Sequence, residues 1–176
     1  MSVSPDFLIP RPGEFNDFYR SYIEEMQGEH PLEALESDLK QQMDLLDRSP
    51  GLDLNYRYQA DKWSLSQLII HLIDTERIMS CRALAAQRLD SIDYPGYNYE
   101  SYVAASETDE RSWYELRKDW SAVRRSTRSL FHSFGEEDWE KSVLIDGEPL
   151  SGRALLNIVC GHNRVHFKTI QAKYLP

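Results

Sequence analysis

Cysteine is scarce in this chain. Its 176 residues hold only Cys81 and Cys160, which excludes a disulfide framework and leads us to expect a reduced, cytoplasmic setting. Basic residues are in the minority. Twenty Lys and Arg stand against 29 Asp and Glu, for a formal charge of −9, so the basic face of a general nucleic-acid or anionic-membrane binder is not expected. No run of about 18 apolar residues occurs, and no transmembrane helix is expected. The start, Met1-Ser2-Val3-Ser4-Pro5-Asp6, lacks a basic stretch followed by an apolar one, so no signal peptide is read there. Gly-rich phosphate loops, Cys-x-x-Cys pairs and a Ser-His-Asp order are also missing. No internal repeat or second domain is visible. A length of 176 residues with 41% hydrophobic residues is enough for one buried core.

Helical periodicity dominates what is present. Residues 1–12 carry Pro5, Pro10 and Pro12 and are expected to form an extended N-terminal arm, with residues 13–176 forming one domain. Phe15, Phe18, Tyr19, Tyr22, Ile23 and Met26 share one face of a short helix ending near Gly28. Leu32, Leu35, Leu39, Met43 and Leu46 mark a longer one, stopped by Ser49-Pro50-Gly51. Residues 52–62 alternate but lack a partner and are read as an extended connection. Ser64 and Gln67 have capping-box spacing, Trp63 is placed to staple the entry, and a helix should follow to about Leu89.

The segment from Asp90 to Glu107 contains Tyr94, Tyr97, Tyr99 and Tyr102; it reads as a long connection and a candidate lid. Thr108, Asp109 and Glu110 should open the next helix, whose seam is Trp113, Leu116, Trp120, Val123, Thr127, Leu130 and Phe134. Arg124, Arg125 and Arg128 read as its solvated flank. Asp146-Gly147 is a turn signal between two short extended pieces, although Pro149 limits any strand there. Ser151 should cap a last helix to about Lys173. The predicted fold is all-α: a four-helix bundle with a short extra N-terminal helix.

Two predicted helices carry unusual inward residues. His162 and His166 lie four apart, about 40° around the axis and about one turn along it. They share a face with Leu155, Ile158, Val159, Thr169 and Ile170. On the other helix His71, Asp74, Thr75, Ile78 and Arg82 fall within about 60° of one line. Antiparallel packing would bring His71 level with the His162–His166 pair to within about 3 Å, against nearly 7 Å for parallel packing. With the long crossover, this favours an up-down-down-up order.

Three neutral imidazoles suit zinc, nickel, iron or copper, and three protein ligands leave a position open, as in catalytic sites. Asp74 could then orient an imidazole or act as a base, and Arg82 could anchor an anionic group of a small-molecule substrate. A non-catalytic metal- or ligand-binding bundle, or a helical module with core histidines and no metal, uses the same residues. His30, His132, Cys81 and Cys160 fall outside the constellation.

Lys62-Trp63-Ser64, His71-Leu72-Ile73-Asp74-Thr75-Glu76-Arg77, Pro95-Gly96-Tyr97 and Gly161-His162-x3-His166 resemble the DinB family of the DinB/YfiT-like superfamily, over about residues 13–174. The resemblance implies an up-down-down-up four-helix bundle, commonly a homodimer, with a divalent metal such as zinc, nickel or iron on His71, His162 and His166. Characterised relatives include S-transferases that use a low-molecular-weight thiol, bacillithiol or mycothiol, and a thiol-dependent isomerase. The expected activity is therefore metal-dependent, as a thiol S-transferase or a hydrolase; the alternative is a non-catalytic, stress-related binding bundle. Dimerisation is compatible with the Trp113–Trp120 region or the N-terminal aromatic helix. The family name does not imply DNA binding.

Overall fold

The computed structural model describes residues 3–88, 93–106 and 110–175. Its helices are α1 (Arg20–Glu24), α2 (Pro31–Arg48), α3 (Leu65–Arg88), α4 (Tyr99–Ala104), α5 (Trp113–His132) and α6 (Gly152–Lys173). Four of them are long. α2 begins with Pro31 in its first turn, where the missing N–H costs no hydrogen bond. The capping box expected before α3 forms: Gln67 N donates to Ser64 Oγ at 3.3 Å, and Ser64 N donates to Gln67 Oε1 at 3.0 Å.

The start of α5 differs from expectation. Its cap is Ser112, in a capping box with Glu115. Glu110 precedes the helix, and Thr108 and Asp109 lie outside the described residues. Of the segment 14–27, only Arg20–Glu24 is α-helical, after a 3-10 turn at Asp17–Tyr19. The first residues are not simply extended either. Pro5–Leu8 make another 3-10 turn, and the wholly buried Leu8 accepts a hydrogen bond through its carbonyl from Asn157 at 2.8 Å.

The all-α expectation also needs correction. Strands β1 (Asp93–Tyr94), β2 (Ser142–Ile145) and β3 (Glu148–Ser151) form a three-stranded sheet in the order β1-β2-β3. Asp146 and Gly147 turn the β2–β3 hairpin with φ of 50° and 81°, the left-handed conformation that Asp-Gly tolerates. Pro149 pairs with Leu144 on the edge strand. It lies one step from the pair that flanks the turn, where antiparallel alternation points its nitrogen away from β2. Part of the segment read as a plain connection is thus β1 and α4; residues 90–92 and 107 of it lie outside the described residues.

α3 packs on both α6 and α5, and α2 packs on both α5 and α6. Cross-helix hydrogen bonds advance together along α3 and α5, from Arg77–Asp119 through Ser80–Thr127 to Gln87–Ser133. Two apolar clusters occupy the two ends of the bundle. One gathers Leu35, Met79, Ala83, Phe131, Leu155 and Ile158 next to the sheet. The other gathers Leu39, Leu46, Leu68, Leu72, Trp120 and Ile170.

A polar belt separates them. It holds Thr75 and Glu76 on α3, Arg124 and Thr127 on α5, and His162 and Asn163 on α6, all buried. Arg124 is therefore not on a solvated flank. It grips Glu76 through two bonds, Nε to Oε1 at 2.8 Å and Nη2 to Oε2 at 2.9 Å, with both side chains only 4% exposed. Trp120 is fully buried, so it cannot form part of a dimer face.

Candidate metal centre and cavity

The histidine side of this belt is assembled from α3 and α6. His71, in the second turn of α3, meets His162 at the middle of α6 and His166 one turn further on. The His71 and His162 Nε2 atoms are 2.9 Å apart. One ligating nitrogen from each ring can be chosen so that all three lie within 4.8 Å of one another. The ring centroids are 4.8 Å apart for His71–His162, 5.0 Å for His71–His166 and 4.4 Å for His162–His166. No other group of three His, Cys, Asp or Glu among the described residues comes together in this way.

Two nitrogens 2.9 Å apart can share a proton, or they can share a cation. Two metal–nitrogen bonds of about 2.1 Å separated by about 90° place their nitrogens close to 3 Å apart. The donor set also fits chemically. Burial, with the charge of His166 as a smaller cause, pushes His71 down to about 3; burial alone pushes His166 down to about 4. Burial, followed by the charges of His166 and His71, drives His162 well below the ordinary imidazole range. All three rings therefore present neutral lone pairs at neutral pH.

Aromatic rings close the cluster. Tyr22 stands edge-on to His162 at 5.1 Å and 77°. Trp63 lies 4.9 Å from His71, and Tyr99 lies 5.7 Å from it. Trp63 thus forms one wall of the site as well as preceding the cap of α3. Tyr22 and Tyr99 are functional candidates that periodicity alone could not separate from ordinary core aromatics. One signal was available for Tyr22. A glycine inside a helix costs about 1 kcal/mol relative to alanine unless packing requires it, and Gly161 sits inside α6. A Cβ built there would lie 1.9 Å from the Tyr22 carbonyl oxygen, so the bare backbone is what lets α1 hold Tyr22 over the histidines.

The cluster opens on a cavity of about 550 Å³ that extends along α3 past Thr75 and Met79 to Arg82, with Tyr97 opposite and Asp146 and Glu148 also lining it. Thr75 Oγ1 and Tyr97 Oη are hydrogen-bonded at 2.7 Å. The loop read as a candidate lid lines the cavity through Gly96, Tyr97 and Tyr99, and Gly96 N donates to both carboxylate oxygens of Asp146, at 3.0 and 3.1 Å. Arg82 is placed on this cavity and buried. Asp74 is not. It accepts from Arg77 at 2.9 Å, Arg77 also reaches Asp119, and Asp74 does not line the cavity. Cys160, excluded on angular grounds, points away and donates its thiol to the Pro31 carbonyl; burial pushes it up to about 12. His132 is exposed and pairs with Glu36.

Neutral buried imidazoles make the metal-free protein acid-sensitive. Their folded pKa values, about 3 for His71 and about 4 for His166, lie below the unfolded value of about 6.5. The unfolded chain therefore takes up protons first. The contribution of these rings is complete above pH ~6.5 and declines as the pH falls toward 4 and then 3. Chelated protein should lose about 2 kcal/mol per ring between neutrality and pH 5, measured by urea unfolding at stepped pH. A flat profile over that interval would contradict buried neutral rings.

Residues 34–170 match the family described as the DinB superfamily. Among solved structures, YfiT from Bacillus subtilis has the same fold. It aligns with a TM-score of 0.68 over 93% of this chain and 89% of its own, at 14% identity. That protein is described as a probable metal-dependent hydrolase with an unusual four-helix bundle topology; at this identity the likeness establishes the fold alone. No curated protein matches the chain. The family match spans well over half of the sequence and includes all three clustered histidines, and the chain belongs to the DinB superfamily.

Proposed function

We propose that His71, His162 and His166 hold one divalent cation and that the protein is a metal-dependent enzyme acting on a small molecule in the adjoining cavity. The observation that carries this is the opening of three neutral, converging imidazoles onto a 550 Å³ cavity. Three protein ligands leave coordination positions free on that side. When bound, the cation supplies Lewis acidity, favouring deprotonation of a water or thiol that reaches it and polarising a carbonyl.

The chain's own residues supply the rest. Tyr22, Trp63 and Tyr99 exclude bulk water from the three rings. The Tyr97 phenol, held above its usual range chiefly by burial, stays protonated and able to donate from the cavity wall. Hydrolysis is the leading reaction class, supported by the description of YfiT. Thiol S-transfer is the second, because the cavity has room for a low-molecular-weight thiol beside an electrophile. An up-down-down-up helix order belongs to the same proposal. It is supported by the in-step bonding of α3 with α5, and of α2 with α6 from Cys160–Pro31 to Arg164–Asp38.

The test is a turnover screen of zinc-, nickel- and iron-loaded protein against ester and amide substrates, and against electrophiles with and without added thiols. The expected result is activity that chelator removes and that His166→Ala lowers at least ~100-fold. Activity that survives both treatments would exclude the histidines as its source. Stoichiometric metal binding without any turnover would favour the non-catalytic binding bundle.

A further inference from the structure

The far end of the cavity carries a charge that the metal proposal does not use. Arg82 is 4% exposed and makes no ion pair with any described residue. Its described partners are weak for a buried guanidinium. Nη2 donates to the Pro95 carbonyl at 3.2 Å, Nη1 approaches the Met79 sulfur at 3.8 Å, and the group lies 5.8 Å from the Tyr97 ring. Arg124 and Arg153, the other buried arginines, each meet a carboxylate. A buried cation without a counter-charge is expensive, and a carbonyl and a thioether answer only part of a five-donor fork. The cavity that opens on Arg82 is the same one that opens on the histidines.

We infer that Arg82 is a specificity residue that binds a carboxylate on the substrate, which makes the ligand an anionic organic molecule spanning from the guanidinium toward the three imidazoles. This deepens the proposed function and rests on that reading for the identity of the cavity as a substrate site. The rim argues for a monoanion. Asp146 and Glu148 line the same cavity as exposed carboxylates and repel a phosphate dianion more strongly than a carboxylate. A guanidinium binds a carboxylate in two parallel hydrogen bonds. His71 and Arg82 are eleven residues apart on α3, so their backbone positions are separated by about 16 Å, while both side chains lean toward the start of the helix. A ligand of several carbon atoms is needed to reach between the two.

The experiment compares hydrocinnamate with its neutral amide by calorimetric titration of the full-length protein. Both metal-free and zinc-loaded forms are titrated, because a carboxylate can also bind a metal directly. In wild type the carboxylate should bind at least about tenfold more tightly than the amide, in both forms. Arg82→Gln should reduce that preference to within about twofold, and Arg82→Lys should retain part of it. Arg82→Lys keeps the charge and carries the test if the glutamine variant does not fold.

Equal binding of the two probes to wild type, no binding of either at millimolar concentration, or a preference that persists in Arg82→Gln would overturn the inference. A preference seen only with zinc and unchanged in Arg82→Gln would place the carboxylate on the metal; the metal centre would stand and Arg82 would lose its role. A preference that depends on Arg82 in a protein that binds no zinc would keep this assignment and remove the metal.

Discussion

Arg124→Ala should be the most destabilising single substitution in the polar belt, costing about 3–5 kcal/mol. At this chain length that corresponds to a fall of about 6–20 °C in the melting temperature. The reason is not that the Arg124–Glu76 pair stabilises strongly in itself. Desolvating two charges offsets most of their attraction. Removing only the arginine, however, leaves the Glu76 carboxylate buried without its two-bond partner and takes the Arg124 Nη1 donor from the Leu35 carbonyl, 3.2 Å away. Glu76→Leu combined with Arg124→Met should recover much of the loss, because the belt then becomes continuous with the apolar clusters on either side. Thermal melts of the single and double variants at neutral pH check this. A single variant within 1 kcal/mol of wild type would mean that the pair is solvated.

That pair also shows where the sequence stops being informative. Part of the seam of α5 follows from spacing: Leu116, Trp120 and Thr127 are buried, as is Phe131, which lies outside the expected seam. Arg124 sits beside that seam and reads as one of three basic residues facing water. Only the approach of Glu76 from α3, 48 positions away in sequence, makes burial tolerable for Arg124. Periodicity along one helix cannot register a partner on another.

The histidines were legible for the opposite reason. Four-residue spacing fixes the His162–His166 pair within one helix, and the apolar neighbours of His71 point it inward whatever its partner. The flanking aromatics were harder to read. Tyr22 depends on the close approach of α1 to Gly161. Asp74 shares a stripe with His71, but local pairing with Arg77 three residues on draws it away from the cavity. The Asp146-Gly147 turn marks the hairpin in the sequence, but the third strand is not legible there, because β1 has only two residues and needs β2, about fifty positions later, to exist.

His162→Ala carries the other large expected effect. His162 is the most buried of the three histidines, at 6% exposed, and its ring lies 4.8 Å from that of His71 and 4.4 Å from that of His166. Loss of an outer partner of a ligand already weakens metal binding about 10–100-fold, so loss of a direct ligand should weaken it by more than ~100-fold. The variant also leaves a cavity and removes the partner of His71 Nε2, so each protein is compared with its own chelated form. Chelator should accordingly lower the melting temperature of wild type and leave that of the variant unchanged, since only a ligand that binds the folded state stabilises it.

The most direct measurement is the metal content of wild-type and His162→Ala protein, zinc-loaded and dialysed side by side. About one zinc per wild-type chain and less than ~0.1 per variant chain are predicted. Equal content in the two proteins, at any value, would contradict a cation held by His71, His162 and His166.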